Sequence, residues 1–138
     1  MNGVVYEPTV VSAILSAVQF DEAGLVPVIA QAHDSGKVLM LAWMNAEALR
    51  LTLETGRVTY WSRSRGALWR KGDTSGQIQE LHEFRLDCDG DAVLLKVHQH
   101  GVACHTGRES CFFLKPDEHG LIAVDPVVIA PDALYPGT

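Results

Sequence analysis

At 138 residues, with 47% hydrophobic and 20% charged residues, the chain has the size and balance of one globular domain with a real core. A net charge of −6 argues against a general nucleic-acid binder, which needs a basic surface. The short apolar run Val10–Val18 cannot span a bilayer, and no Lys or Arg precedes Lys37, so neither a membrane anchor nor a secretory leader is expected.

Residues 1–20 read as a lead-in with a short helix over Thr9–Val18, begun after Pro8. Val26–Ala32 has strand composition, His33-Asp34-Ser35-Gly36 a turn, and Val38–Trp43 a second strand, so a hairpin is expected. Asn45 is placed to cap a helix over Ala46–Glu54. Glu47 falls near its positive end, Leu49 and Leu53 share a face, and Gly56 stops it. Val58–Trp61 returns as a strand. Ser62–Gly76 is long, polar and without periodicity, the mark of a functional connection, and Trp61 and Trp69 argue against disorder.

Gln77–Cys88 and Asp91–Val97 read as a hairpin closed by a two-residue Asp89-Gly90 turn. Ile78, Phe84 and Leu86 alternate on the first arm, and Leu81 breaks the alternation. Gly101–Ser110 is a loop, Cys111–Leu114 a short strand and Leu121–Val124 another. Pro126, Pro131 and Pro136 mark an irregular tail. The expected class is α+β, mainly β: a mixed or antiparallel sheet, or a half-barrel, with one or two short helices.

Three cysteines cannot all pair within one chain. Set among other ligand-type residues, they suit a metal in a reducing compartment, and the cytoplasm is the expected location. Cys104 and Cys111 bracket a His-Thr-Gly-Arg loop, and Cys88 supplies a third thiolate. A fourth position is either His105 or open, and three protein ligands plus water is the pattern of a catalytic zinc. A closed set of four would instead make the metal structural and the chain a non-enzymatic module. The deaminase signature, His-x-Glu followed by Pro-Cys-x-x-Cys, is absent.

Asp87, Asp89 and Asp91 are either a charged turn or a carboxylate cluster for magnesium. In an unbroken strand they share one face, with Cys88 on the other; if Asp89-Gly90 is the turn, Cys88 faces Asp91 across it. Either way three carboxylates crowd together, which favours a cation or raised pKa values. The residues do not fit an EF-hand, since Ala92 and His98 stand where its Gly and Glu belong. His105 is a loop histidine or a general acid–base beside the metal. His98 and His100 read as strand-end residues.

Arg57, Arg63, Arg65, Arg70 and Lys71 supply five of the eleven Lys and Arg, a local excess suited to an anionic small molecule. Guanidinium forks, hydroxyls and glycine N–H groups between Trp61 and Gly76 are phosphate-binding parts, although the spacing is not that of a P-loop. The alternative is a solvated loop with two tryptophan anchors.

Five stretches in this order resemble the phosphoribosyl-AMP cyclohydrolase family: Val38-Leu39-Met40-Leu41-Ala42-Trp43-Met44-Asn45, Tyr60-Trp61-Ser62-Arg63-Ser64-Arg65, Leu68–Gly76, Asp87–Asp91 and Ala103–Phe112. The similarity runs from Leu25 to Phe113. It implies a single domain over 1–138: a variable lead-in over 1–24, a family core over 25–113 and an extension over 114–138. It further implies a monofunctional homodimer that opens the adenine ring of phosphoribosyl-AMP at N1–C6 in histidine biosynthesis, using zinc and magnesium. By position, Cys88, Cys104 and Cys111 match the family's zinc ligands, shared across the dimer, and Asp87, Asp89 and Asp91 its magnesium ligands. His105 is then the expected catalytic acid–base. Arg63, Arg65, Lys71, Thr74 and Ser75 are expected to hold the substrate's phosphates. The chain departs from the pattern where an acidic residue is expected near Ala32-His33, a glutamate at His98 and an asparagine at Gln77.

Overall fold

The structure, a computed structural model, describes residues 3–135. The element order is α1 (Pro8–Ala17), β1 (Val26–Ala32), β2 (Val38–Met44), α2 (Ala46–Thr55), β3 (Thr59–Ser62), β4 (Ala67–Arg70), β5 (Gln79–Leu86), β6 (Val93–Gln99), β7 (Leu114–Asp117), β8 (Gly120–Ala123) and α3 (Pro131–Leu134).

Four strands form one open sheet in the order β2-β1-β6-β5. The β1–β2 and β5–β6 pairs are antiparallel hairpins, and the central β1–β6 pair is parallel. The sheet is therefore mixed and open, with two edges, which agrees with the α+β, mainly β class and, among the sheet forms expected, with the mixed one. Val26, Val28 and Ala30 on β1 and Val93, Leu95 and Val97 on β6 point to the inner face, following the two-residue period. Met44, Leu49 and Leu53 join them in the core.

α2 begins as its sequence dictates. The Asn45 side chain accepts the Ala48 N–H at 2.8 Å, and Gly56 ends the helix with a left-handed φ of 75°. Buried Thr52 donates to the Ala48 carbonyl at 2.9 Å and accepts the Thr59 N–H at 3.0 Å, fastening α2 to β3.

Leu81 breaks the alternation because β5 carries a bulge. Leu81 pairs with Val97 and Glu83 with Lys96, so His82 is the extra residue. Leu81 and Phe84 thereby both reach the core, despite their odd spacing.

Several expectations need correction. The polar segment after Ser62 contains a strand, β4, that pairs with β3 from Thr59↔Arg70 to Ser62↔Ala67. Its side chains are mostly exposed, so no burial pattern marks it. The strand expected at Cys111–Leu114 begins at Leu114, because the Cys111 N–H is committed to the Leu39 carbonyl at 2.7 Å. Leu114–Asp117 instead pairs with Gly120–Ala123. The tail adds a third short helix at Pro131–Leu134. Pro136 lies outside the described residues.

Candidate active site

The Asp-rich loop joins β5 to β6. It is not a two-residue turn and not an unbroken strand. The last ladder pair is Leu86↔Val93, and the Asp87 N–H then closes a wider loop onto the Ala92 carbonyl at 3.0 Å. The Asp87 Oδ1 accepts the Asp91 N–H at 2.9 Å, and Gly90 supplies a φ of 75°. The Gln19 N–H, just past α1, donates to the Gly90 carbonyl at 2.7 Å, so the N-terminal segment braces this loop.

The ligand oxygens of exposed Asp87, Asp89 and Asp91 lie within 4.8 Å of one another. A hydrogen bond from Asp87, with its charge close by, holds the Asp91 carboxyl above the usual range. In Asp87, partial loss of water would raise the carboxyl, but bonds from the Asp91 side chain and from backbone N–H groups outweigh it and hold it low. Carboxyl groups crowded this closely are a fitting donor set for a hard cation.

The thiols lie at the other end of the sheet. After β6 the chain doubles back: the Ala103 N–H donates to Glu109, Cys104 to Arg108 and Gly107 to Cys104. Ser110 anchors the return with its hydroxyl on the Val38 carbonyl at 2.8 Å. This fold-back sets Cys104, which is buried, beside Cys111. Desolvation, then the nearby Cys104, pushes the Cys111 thiol up to about 12. Cys111 keeps solvent contact as a residue, while its sulfur lies among protein atoms. The Thr106 hydroxyl donates to the Cys104 Sγ at 3.1 Å. Two facing free thiols with a donor beside them fit a thiophilic ion such as zinc.

Cys88 does not join them within one chain. It precedes β6, and Cys104 follows it. Seven strand residues at about 3.3 Å each set these loops about 20 Å apart. Among the described residues, the aspartates are the one set of three with ligand atoms so close together. His105 follows Cys104 and is exposed.

The β3–β4 hairpin and the loop after it build a cleft of about 240 Å³. Arg65, Lys71, Thr74 and Ser75 all line it, joined by Tyr135, which the sequence reading did not single out. Arg63 stands apart, with its guanidinium 4.5 Å from the Trp43 ring centroid. Lys71 is buried, and its Nζ donates to the Ala103 carbonyl at 2.8 Å.

A separate cavity of about 320 Å³ is lined by His33, His82, His98, His100 and Glu80. His33 and His82 stack with centroids 4.0 Å apart, His98 meets His100 edge-on, and His100 bonds Glu80. Two of the departures from the family pattern, at His33 and His98, fall in this cavity. The strand-end reading of His98 and His100 missed it, because the cavity depends on cross-strand neighbours: Glu80 faces His98 across the β5–β6 ladder, and the His33 ring reaches His98 from the end of β1.

Comparison with known proteins bears on the same residues. Residues 40–113 match the family described as phosphoribosyl-AMP cyclohydrolase, a span that contains the Asp loop, both thiol positions and the cleft residues Arg65–Ser75. A protein of Paramagnetospirillum magneticum named phosphoribosyl-AMP cyclohydrolase is 60% identical over 124 residues, covering 90% of this chain and 94% of that protein. One of the same name from Rhodospirillum rubrum is 61% identical over 125 residues, covering 90% of this chain and 87% of its own length. A third, from Halorhodospira halophila, is 58% identical over 124 residues, 90% of this chain and 87% of that protein. The chain belongs to the phosphoribosyl-AMP cyclohydrolase family and is an enzyme of that family.

Proposed function

We propose that the chain hydrolyses the N1–C6 bond of the adenine ring of phosphoribosyl-AMP in histidine biosynthesis, as a cytoplasmic homodimer that uses zinc and magnesium. The observation that carries this reading is the thiol pair Cys104–Cys111 adjoining a cleft lined by Arg65, Thr74 and Ser75, with Lys71 common to both.

Cys104 and Cys111 hold the zinc, together with Cys88 of the partner subunit. The roughly 20 Å between the two loops of one chain supports a site shared between subunits. Zinc, when bound, supplies a Lewis acid that makes water acidic near neutral pH. His105, exposed beside Cys104, accepts a proton from the attacking water and returns one to N1 as the N1–C6 bond opens. Arg65, Thr74 and Ser75 bind a phosphate through guanidinium and hydroxyl donors. Asp87, Asp89 and Asp91 would hold magnesium, a hard cation that would supply a contact for substrate oxygens.

The test is ring opening of phosphoribosyl-AMP, followed by ultraviolet absorbance with and without each metal. Turnover that needs both metals is expected. Full turnover by Cys104→Ala without bound zinc would overturn the zinc assignment. An unchanged rate and pH profile in His105→Ala would remove its acid–base role.

A further inference from the structure

Lys71 sits where the cleft meets the thiol pair. The sequence reading gave it a substrate phosphate; its surroundings assign it another task. It is 6% exposed, and its bond to the Ala103 carbonyl holds the residue immediately before Cys104. Among the described residues no carboxylate lies within ion-pair distance of it. A buried cation without a counter-charge is expensive, so a negative group beside it stabilises the charged form. On the protein, the groups that act on it in this way are the thiols of Cys111 and Cys104. Burial pulls the Lys71 ammonium below its usual range, and Cys111 and then Cys104 pull it back, which places both within electrostatic reach. The Trp69 ring, 5.6 Å from Nζ at its centroid, walls the ammonium on another side.

We propose that Lys71 is a positioning residue of the metal centre: its charge offsets the thiolates of Cys104 and Cys111, and its bond to Ala103 holds the loop that presents Cys104. The inference rests on the zinc reading above. A zinc dication held by three thiolates carries one negative charge, and a buried ammonium beside it neutralises the whole. Lys71 then contributes to metal retention and turnover, while substrate affinity belongs to Arg65, Thr74 and Ser75.

Three variants of the full chain separate the parts. Lys71→Met removes charge and hydrogen bond, Lys71→Gln keeps a donor for Ala103, and Lys71→Arg keeps the charge. Zinc affinity is measured by competition with a chromophoric chelator, kcat and KM with phosphoribosyl-AMP, and folding by circular dichroism. Lys71→Met and Lys71→Gln are expected to lose zinc affinity roughly tenfold or more, the size seen for groups that support metal ligands. kcat should fall with KM little changed, and Lys71→Arg should recover much of the loss. Unchanged zinc affinity with a raised KM would overturn the proposal in favour of a phosphate contact. If Lys71→Met does not fold, Lys71→Gln binding zinc as well as Lys71→Arg would overturn it equally. Cys104→Ser reports on the underlying reading: zinc retained without Cys104 defeats that reading, whereas zinc lost there but kept in every Lys71 variant defeats this inference alone.

Discussion

Tyr60 donates its phenolic hydrogen to Gln79 Oε1 at 2.7 Å, and both side chains are wholly shielded from water. Gln79 Nε2 continues to Gln99 Oε1 at 2.8 Å, and Gln99 Nε2 reaches the His100 carbonyl at 2.9 Å. A polar chain thus crosses the interior from β3 to the loop that carries Cys104. Burial pushes the Tyr60 phenol far up, so it remains a donor at any working pH.

Tyr60→Phe should therefore destabilise the fold by about 1–3 kcal/mol, because Gln79 Oε1 is left buried with one partner fewer. The urea midpoint of unfolding measures it. A midpoint equal to wild type would mean that water or a rearranged Gln79 satisfies the carbonyl.

A shared zinc site makes a mixing experiment decisive. Cys88→Ala and Cys104→Ala chains should each be inactive alone. After unfolding and refolding together they should regain about a quarter of wild-type activity, since half the dimers are mixed and each mixed dimer rebuilds one of its two sites. No recovery on mixing would place all three thiols in one chain's site.

On α2, Arg50 bonds Glu47 and also Glu54, the latter at 2.7 Å. The Arg50 hydrogen bond holds the Glu47 carboxyl below its usual 4.5. A depressed carboxyl stabilises the fold above its unfolded pKa, and that contribution is lost as pH falls through the folded value. Glu47→Gln should therefore melt slightly below wild type at neutral pH and low salt, and the two should converge in acid. The pair is exposed, so added salt should shrink the gap. A gap that persists in acid would point to some cause other than this charge.

Gly107 has a φ of 86°, and a Cβ there would lie 1.8 Å from the Ile129 carbonyl oxygen. Its own carbonyl accepts the Val128 and Ile129 N–H groups at 2.8 and 3.1 Å. Gly107→Ala should cost about 1–3 kcal/mol of stability and loosen the Cys104–Cys111 loop, because both the backbone conformation and the tail contact are lost. Thermal melting and zinc retention should fall together. Wild-type retention with a lowered melting point would show that the tail does not support the thiol loop.

The parts of this fold that carry a period or a cap were legible in the sequence. β1 was read at its observed bounds, and Asn45 and Gly56 mark α2 because capping is chemistry local to those residues. β4 was hidden, since a short exposed strand of Leu68, Trp69 and Arg70 buries too little to show alternation. The width of the Asp loop depends on the Asp87 carboxylate capturing backbone N–H groups, which residue order alone does not express. Of the five residues grouped on sequence, Arg65, Lys71, Thr74 and Ser75 line one cleft, while Arg63 lies over the Trp43 ring. The burial of Lys71 was not foreseen, because it depends on Ala103, thirty-two residues away. The strand that separates Cys88 from Cys104 was legible as Asp91–Val97, whereas the fold-back that sets Cys104 beside Cys111 rests on backbone bonds such as Cys104 N–H to Arg108, which residue order alone does not express.

The extra residue at His82 acts as a phase shifter for β5. Leu81 and Phe84 are three apart, a spacing that a regular strand would put on opposite faces, and the bulge is what lets both face inward. Deleting His82 would leave them two apart, with Leu81 opposite Val97 and Phe84 opposite Leu95 in an unbroken ladder. The core would therefore survive that deletion, and the loss would fall on the ring that His82 stacks on His33. The extra residue serves the cavity, and the interior does without it.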